Sequence, residues 1–213
     1  MVTLFSSTTT ASRLVVVLLA SALIFTACDS NEPDENAGEQ EVISDVIISF
    51  DDPNTNASPD VTAAAEFNSG GELQSTETIA LDNGITYSVF IELENRFADT
   101  AEERDITAEI AEEDEEHQFF YRLEDAESGG SPLSGILNIT GLDKDGNGDP
   151  LGLSFNAETQ SATQSTAFLR VKLRHYEDEA VLPEDKQNDT IDAPEEPEVV
   201  ENDVDFTFPL TVN

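Results

Sequence analysis

Residues 167–175 read Ala-Phe-Leu-Arg-Val-Lys-Leu-Arg-His, with apolar and basic side chains in alternation. Successive side chains of a β-strand point to opposite faces, so the leucines and the valine would line one face and the basic residues the other. This pattern predicts a half-buried strand. Residues 203–212 alternate in the same way, and we expect them to form a closing strand. The apolar positions there are Val204, Phe206, Phe208, Leu210 and Val212.

Shorter runs of the same kind recur before this stretch and are separated by turn residues. We predict strands over residues 42–50, 61–67, 77–81, 85–93, 117–123, 135–140 and 151–155. Asn83-Gly84 lies between two of these runs and predicts a β-hairpin. Ile106 and Ile110 are four residues apart, which predicts a two-turn helix within residues 105–113.

Eight or nine short strands with one short helix predict an all-β fold. We expect an antiparallel, immunoglobulin-like β-sandwich over residues 41–213. A parallel α/β fold would need a helix between successive strands. The acid- and proline-rich stretch 177–202 is predicted to be a long loop.

The chain is strongly acidic, with 46 Asp and Glu against 9 Lys and Arg and a net charge of −37. Such a surface repels the phosphates of nucleic acids and anionic lipid headgroups, so we exclude nucleic acid as a partner. The charge has two explanations, adaptation to the high salt of a halophilic host or a set of cation sites. The even spread of the acids and the presence of only three lysines favour the first.

The N-terminus has the layout of an export signal. Arg13 precedes about a dozen apolar residues, a stretch too short for a comfortable transmembrane span. Residues 25–28, Phe-Thr-Ala-Cys, resemble the lipobox of bacterial lipoproteins. The resemblance implies that 1–27 is a signal peptide and that Cys28 carries a diacylglycerol, with fatty acyl groups such as palmitate, that anchors the chain in a membrane. The alternative is an ordinary secretory peptide with a free Cys28.

Residues 28–40 are acidic and aperiodic, which predicts a disordered tether. An acidic stretch after the lipidated cysteine resembles the surface-export signal of lipoproteins in the Bacteroidetes and their relatives. That resemblance implies the cell envelope and the outer membrane. Surface-exposed and periplasm-facing placements both stay open.

Asp143, Asp145 and Asn147 occupy positions 1, 3 and 5 of a loop with glycine at position 6. This spacing matches the first half of an EF-hand-type calcium loop, to which Asp149 adds another oxygen ligand. Position 12 is Ser154 rather than the expected glutamate. The alternative, which we favour, is a glycine-rich turn between two strands.

His117 and His175 are the only histidines of the chain. If their strands are neighbours, two imidazoles and a carboxylate could hold zinc or another transition metal. Surface histidines stabilised by nearby carboxylates are the favoured interpretation, because no metal-binding spacing links the two.

Arg170, Lys172 and Arg174 share one face of their strand. In so acidic a chain we expect them to pair with Asp or Glu of a neighbouring strand. The alternative is a stripe that binds an anion or a partner protein.

Four segments together resemble a group of small, uncharacterised lipoproteins of Bacteroidetes-type bacteria, some of which are named after the type 1 periplasmic-binding fold. These segments are residues 105–110, 116–121, 147–153 and 173–175. No catalytic constellation stands out. The leading hypothesis is a lipid-anchored, non-enzymatic envelope protein that binds a partner, such as another envelope protein or a glycan, or a ligand. The alternatives are a Ca²⁺-stabilised adhesion or glycan-binding module and a metal-dependent enzyme that uses both histidines.

Overall fold

The structure is a computed structural model and describes residues 41–56, 58–127, 129–160, 167–176, 186 and 200–213. The predicted signal peptide 1–27, Cys28, the tether 28–40 and most of the predicted loop 177–202 lie outside the described residues. Within the described ranges, no helix has the length and apolar character needed to cross a bilayer.

The described chain forms two β-sheets and one short helix, which confirms the predicted all-β sandwich. One sheet has six strands in the order β3-β2-β1-β5-β8-β7, and the other has four in the order β4-β10-β9-β6. The elements are β1 Asp45–Asp51, β2 Val61–Phe67, β3 Leu73–Thr76, β4 Ile79–Leu81, β5 Thr86–Glu94, α1 Ile106–Glu112, β6 His117–Glu124, β7 Leu137–Thr140, β8 Ser154–Thr159, β9 Ala167–Tyr176 and β10 Val200–Val212.

The hydrophobic core lies between the two sheets. In β9 the predicted apolar face is confirmed, because Leu169, Val171 and Leu173 are fully buried. Aromatic pairs connect the sheets directly. The ring of Phe67 in β2 contacts that of Phe206 in β10 at 5.2 Å between centroids, and Tyr121 in β6 contacts Phe155 in β8 at 4.4 Å. Burial of each large side chain contributes about 1.5–3 kcal/mol to stability.

The predicted hairpin at Asn83-Gly84 is wrong. β4 belongs to the four-stranded sheet and pairs in parallel with β10, whereas β5 pairs with β1 and β8 in the other sheet. Gly84 does adopt the left-handed conformation of a tight turn, with φ of 78°. An Asn-Gly pair specifies a chain reversal but not the sheet that each strand joins. β4 instead pairs with the C-terminal end of β10, and the residue after that strand, Asn213, donates its N–H to Leu81 O.

The predicted helix is confirmed and positions the start of β6. Ile106 and Ile110 are buried, and the side chain of Asp105 caps the first turn by accepting from Ala108 N–H at 3.1 Å. Thr107 Oγ1 accepts from Leu93 N–H at 2.7 Å, which fixes α1 against β5. Residues 113–116 then form a turn that leads directly into His117.

Candidate metal centre

The two histidines are direct neighbours across β6 and β9. His117 pairs with His175 in the antiparallel register, and their ring centroids lie 4.5 Å apart with 28° between the ring planes. Each continues the core-facing row of its strand, two residues before Phe119 and two residues after Leu173. Both are buried, with 0% and 1% exposure. The favoured interpretation of surface histidines is therefore wrong.

Two carboxylates that the sequence reasoning did not select complete a four-residue cluster of Glu41, His117, His175 and Asp203. Glu41 lies four residues before β1, and its Oε1 is 3.1 Å from His117 Nε2. Asp203 Oδ2 lies 3.9 Å from the same nitrogen. One ligand atom from each member lies within 4.8 Å of all the others. Glu41 and Asp203 side chains are 3% and 0% exposed.

A β-bulge positions Asp203. Asn202 pairs with Arg174 and Val204 pairs with Leu173, so Asp203 is an extra residue between two consecutive partners of β9. In a regular strand Asp203 would face away from the core, because Val204 faces towards it. A bulge redirects such a side chain. Here it places a carboxylate beside two core-facing imidazoles.

His117 has a hydrogen-bond acceptor at each ring nitrogen. Nδ1 is 3.1 Å from Glu113 O, and Nε2 is 3.1 Å from Glu41 Oε1. A neutral imidazole carries one N–H and an imidazolium carries two, so two acceptors favour the cation. Burial lowers the pKa of His117, but the hydrogen bond and charge of Glu41, with smaller effects of Glu113 O and the Asp203 charge, outweigh burial and raise the pKa.

The pKa of Glu41 is shifted in the opposite direction to that of His117. Burial raises the pKa of its carboxyl group, but the hydrogen bond and charge of His117 and the charge of His175 outweigh burial and leave the pKa lowered. The pair is therefore an ionic one in the absence of a metal. The imidazolium of His117 and the carboxylate of Glu41 contact each other directly, at the position where a metal ion would bind to both groups.

Two further polar atoms of these side chains are buried without a hydrogen bond to any described residue. Glu41 Oε2 and His175 Nε2 have no hydrogen-bond partner in the described part of the chain. The nearest charged neighbours are more distant, since His175 Nδ1 lies 3.8 Å from Glu41 Oε2 and His175 Nε2 lies 3.7 Å from Glu116 Oε2. Burial of an unsatisfied polar atom costs about 1–3 kcal/mol, so a native structure rarely keeps one without a reason.

The donor set and its spacing suit a transition metal. Zinc bonds of 2.0–2.2 Å in a tetrahedron place ligand atoms about 3.3 Å apart. The contacts of 3.1, 3.8 and 3.9 Å within the cluster lie near that value. Glu113 O accepts from His117 Nδ1 and so leaves Nε2 for the ion, which is the usual outer-shell arrangement of a metal-bound histidine.

A cleft of about 740 Å³ reaches this cluster. Its walls are formed by the segment before β1, the turn between β2 and β3, and residues 202–207 in the N-terminal half of β10. Glu41 and Asp203 are among its lining residues, together with the apolar side chains of Phe67, Leu73 and Phe206.

The residues of the predicted calcium loop adopt a turn braced by hydrogen bonds. Asp143 Oδ1 accepts from Gly152 N–H at 2.8 Å and from Ser154 N–H at 3.1 Å. Asp145 Oδ1 accepts from the backbone N–H groups of Asn147 and Asp149 at 3.0 and 2.8 Å.

The second oxygen of Asp145 already contacts a cation of the chain. Lys186 Nζ donates to Asp145 Oδ2 at 2.7 Å, and both side chains are buried. A calcium ion at this loop would have to displace that ammonium group. The calcium site stays a prediction.

The basic face of β9 pairs with acids, as predicted for Arg170 and Lys172. Arg170 forms two hydrogen bonds of 2.6 Å to the carboxylate of Asp205 in β10, and Lys172 Nζ lies 3.6 Å from the same group. Arg174 is buried, with its guanidinium 5.3 Å from the centre of the Phe120 ring. The alternative of an anion-binding or partner-binding stripe stays a prediction.

No protein-family model matches the chain, and comparison with curated proteins and solved structures gave no match. The resemblance to small lipoproteins therefore stays a prediction.

Proposed function

We propose that this protein is a lipid-anchored protein of the cell envelope whose β-sandwich binds a divalent transition-metal ion, with zinc as the best match. The ligands are Glu41, His117, His175 and Asp203. The observation that supports this most strongly is the cluster itself, in which one ligand atom from each of four buried side chains lies within 4.8 Å of the others, and in which Glu41 Oε2 has no hydrogen-bond partner among the described residues. A metal ion there would coordinate Glu41 Oε2 together with the facing His175 Nδ1, which lies 3.8 Å from it.

The donor types select the ion. Imidazole suits zinc, copper(II), nickel and iron, whereas calcium and magnesium take oxygen ligands. A thiolate would favour copper(I), but the only cysteine is Cys28, which the proposal assigns to the lipid. Two imidazoles with two carboxylates therefore favour zinc or a related divalent ion.

The number of ligands favours binding over catalysis. Catalytic zinc sites have three protein ligands and keep a fourth position for water or substrate. Here four side chains lie close enough to fill a tetrahedral shell. The ion would hold three parts of the fold together, namely the segment before β1, the β6–β9 pair and the bulge of β10.

Zinc titration of the mature chain, with Cys28 changed to Ala and all metal removed by chelator, tests this proposal. We expect one ion per chain by calorimetry, and stabilisation by about 2.7 kcal/mol at a free zinc concentration 100 times the Kd. Asp203→Asn should weaken binding, because a neutral amide replaces an anionic ligand. Glu92→Gln is the matched control, since Glu92 is an exposed acid of β5 outside the cluster. Equal binding by both variants, or none by the unmodified cluster, would refute the site.

The anchor is tested separately by mass spectrometry of the N-terminal peptide of protein made in a bacterium with lipoprotein processing. We expect cleavage before Cys28 and the mass of a diacylglycerol on its sulfur. In a Cys28→Ser control the precursor should stay uncut. A cleaved chain with an unmodified Cys28 would instead support the ordinary secretory peptide.

A further inference from the structure

The four residues of the cluster differ in whether they line the cleft. His117 and His175 are almost completely buried and do not line the cleft. Glu41 and Asp203 do line it, although their side chains are also buried. Of the four cluster residues, only Glu41 and Asp203 thus border the cleft, so an ion that arrives through it would meet the residues with oxygen ligands before the histidines.

We infer that this cleft is the route by which the metal ion reaches the cluster, with the two carboxylates as its first ligands. The inference rests on the proposed metal-binding function and adds the path and the order of ligation. A buried metal site needs an entry path as well as ligands. The cleft is the opening that two of the four ligands share.

The charge of the cleft suits the passage of a cation. Its lining includes the acids Glu41, Glu127, Asp203 and Asp205, and no lysine or arginine is among its described lining residues. Asp205 is partly neutralised by Arg170 and Lys172. Glu127 is exposed. Walls of one charge sign raise the local concentration of the opposite ion and speed its association.

The apolar wall of the cleft offers a way to narrow it without touching a ligand. Leu73 lies in the edge strand β3, lines the cleft and is 41% exposed. A larger side chain at this rim position would obstruct the cleft while leaving the cluster unchanged. Phe90 is similarly exposed, at 51%, but lies in β5 and does not line the cleft, so it supplies the matched control.

The experiment measures zinc association by stopped flow and dissociation by transfer to excess chelator, on the mature chain. We expect Leu73→Trp to slow both rates by the same factor, so that the Kd is unchanged, because an obstructed path alters the barrier and not the bound state. Phe90→Trp should change neither rate. Glu127→Gln should slow association about two- to fourfold at low salt, the effect of one unit charge on a divalent ion across roughly 10 Å of water. Glu92→Gln, an exposed acid of β5 outside the cleft, is its control.

The outcomes separate this inference from the proposed function. If zinc binds the unmodified cluster but Leu73→Trp and Phe90→Trp have the same rates, the ion enters elsewhere and the inference is overturned while the metal site stands. If Leu73→Trp changes the Kd, the residue acts on the bound state, which also overturns the inference. If zinc does not bind at all, both proposals fail.

Discussion

Replacing His117 by alanine is expected to lower the affinity for zinc by more than 100-fold. Loss of an outer-shell partner alone typically costs 10–100-fold, and His117 is itself a proposed ligand. Its Nε2 is the nitrogen closest to both carboxylates of the cluster, at 3.1 Å from Glu41 and 3.9 Å from Asp203. Competition with a chelator of known zinc affinity measures the change. The Glu92→Gln protein should keep the affinity of the parent chain, because Glu92 is exposed on β5 and lies outside the cluster.

The same substitution should also destabilise the metal-free protein. Without the imidazolium, the Glu41 carboxylate stays buried and loses its hydrogen bond, and removal of one partner of a buried ion pair costs about 3–5 kcal/mol. Chemical denaturation in the presence of chelator measures this loss. The second substitution Glu41→Gln removes the orphaned charge and should restore part of the stability.

The pH dependence of this loss has a definite sign. The pKa of His117 is raised above 6.5, so its contribution is complete below that pH and is lost as the pH rises through the raised pKa. The pKa of Glu41 is lowered below 4.5, so its contribution is complete above that pH and is lost as the pH falls through the lowered pKa. The difference in stability between metal-free parent and His117→Ala should therefore be largest between about pH 4.5 and 6.5. A difference that is flat from pH 4 to 9 would contradict the ion pair.

The strand pattern contains only part of the information for this site, and the favoured sequence prediction of surface histidines did not use it. Alternation places His175 on the same face as Leu173 and His117 on the same face as Phe119, so the core side of each histidine could be deduced. Their direct contact depends on β6 and β9 being neighbours in one particular register. That register depends on the order of strands in the sheet, which local patterns do not encode.

The two carboxylates were missed for different physical reasons. In a regular strand the side chain of Asp203 would point away from the core, because strand side chains alternate between the two faces and Val204 faces the core. Only the bulge between Asn202 and Val204 turns the Asp203 side chain towards the cluster. Glu41 ends an acidic run whose composition indicates a tether, and no local pattern shows that its side chain returns to a buried site. In a chain with 46 acids, proximity in sequence could not single out either one.

The Asn-Gly turn and the acidic loop illustrate the same limit. Residues 83–84 specify a chain reversal, but hydrogen bonds to Asn213, at the far end of the chain, decide the sheet to which β4 belongs. The spacing of Asp143, Asp145 and Asn147 indicates an acidic turn. The cation that the turn holds is Lys186, 41 residues after Asp145, and nothing in the loop predicts it.

Replacing Lys186 by methionine is expected to cost about 3–5 kcal/mol of unfolding free energy, since it leaves the buried Asp145 carboxylate without its cation. The ammonium group donates to Asp145 Oδ2 at 2.7 Å, and the two side chains are 2% and 1% exposed. Burial raises the pKa of Asp145, but Lys186 and the backbone donors outweigh burial and lower it. The contribution of the pair should therefore be present above pH 3.8 and be lost as the pH falls through the lowered pKa.

Another lysine of the chain, Lys144, is a matched control for this experiment. Lys144 lies in the same loop and donates to Gly148 O, but it is exposed, so Lys144→Met should change stability by less than about 0.5 kcal/mol. Adding Asp145→Asn to Lys186→Met removes the orphaned charge and should recover part of the loss. Equal effects of the two lysine substitutions would show that the Lys186–Asp145 pair does not support the loop.

Calcium titration of the same variants then decides between the two interpretations of the loop. In the parent chain an ion must compete with the ammonium group for Asp145 Oδ2, whereas in Lys186→Met that oxygen is released. If the loop is a turn whose internal cation is Lys186, millimolar calcium should restore little of the lost stability, because position 12 supplies Ser154 in place of a bidentate glutamate. Recovery of most of the loss by calcium, but not by magnesium, would instead show that the loop keeps a calcium geometry that Lys186 now occupies.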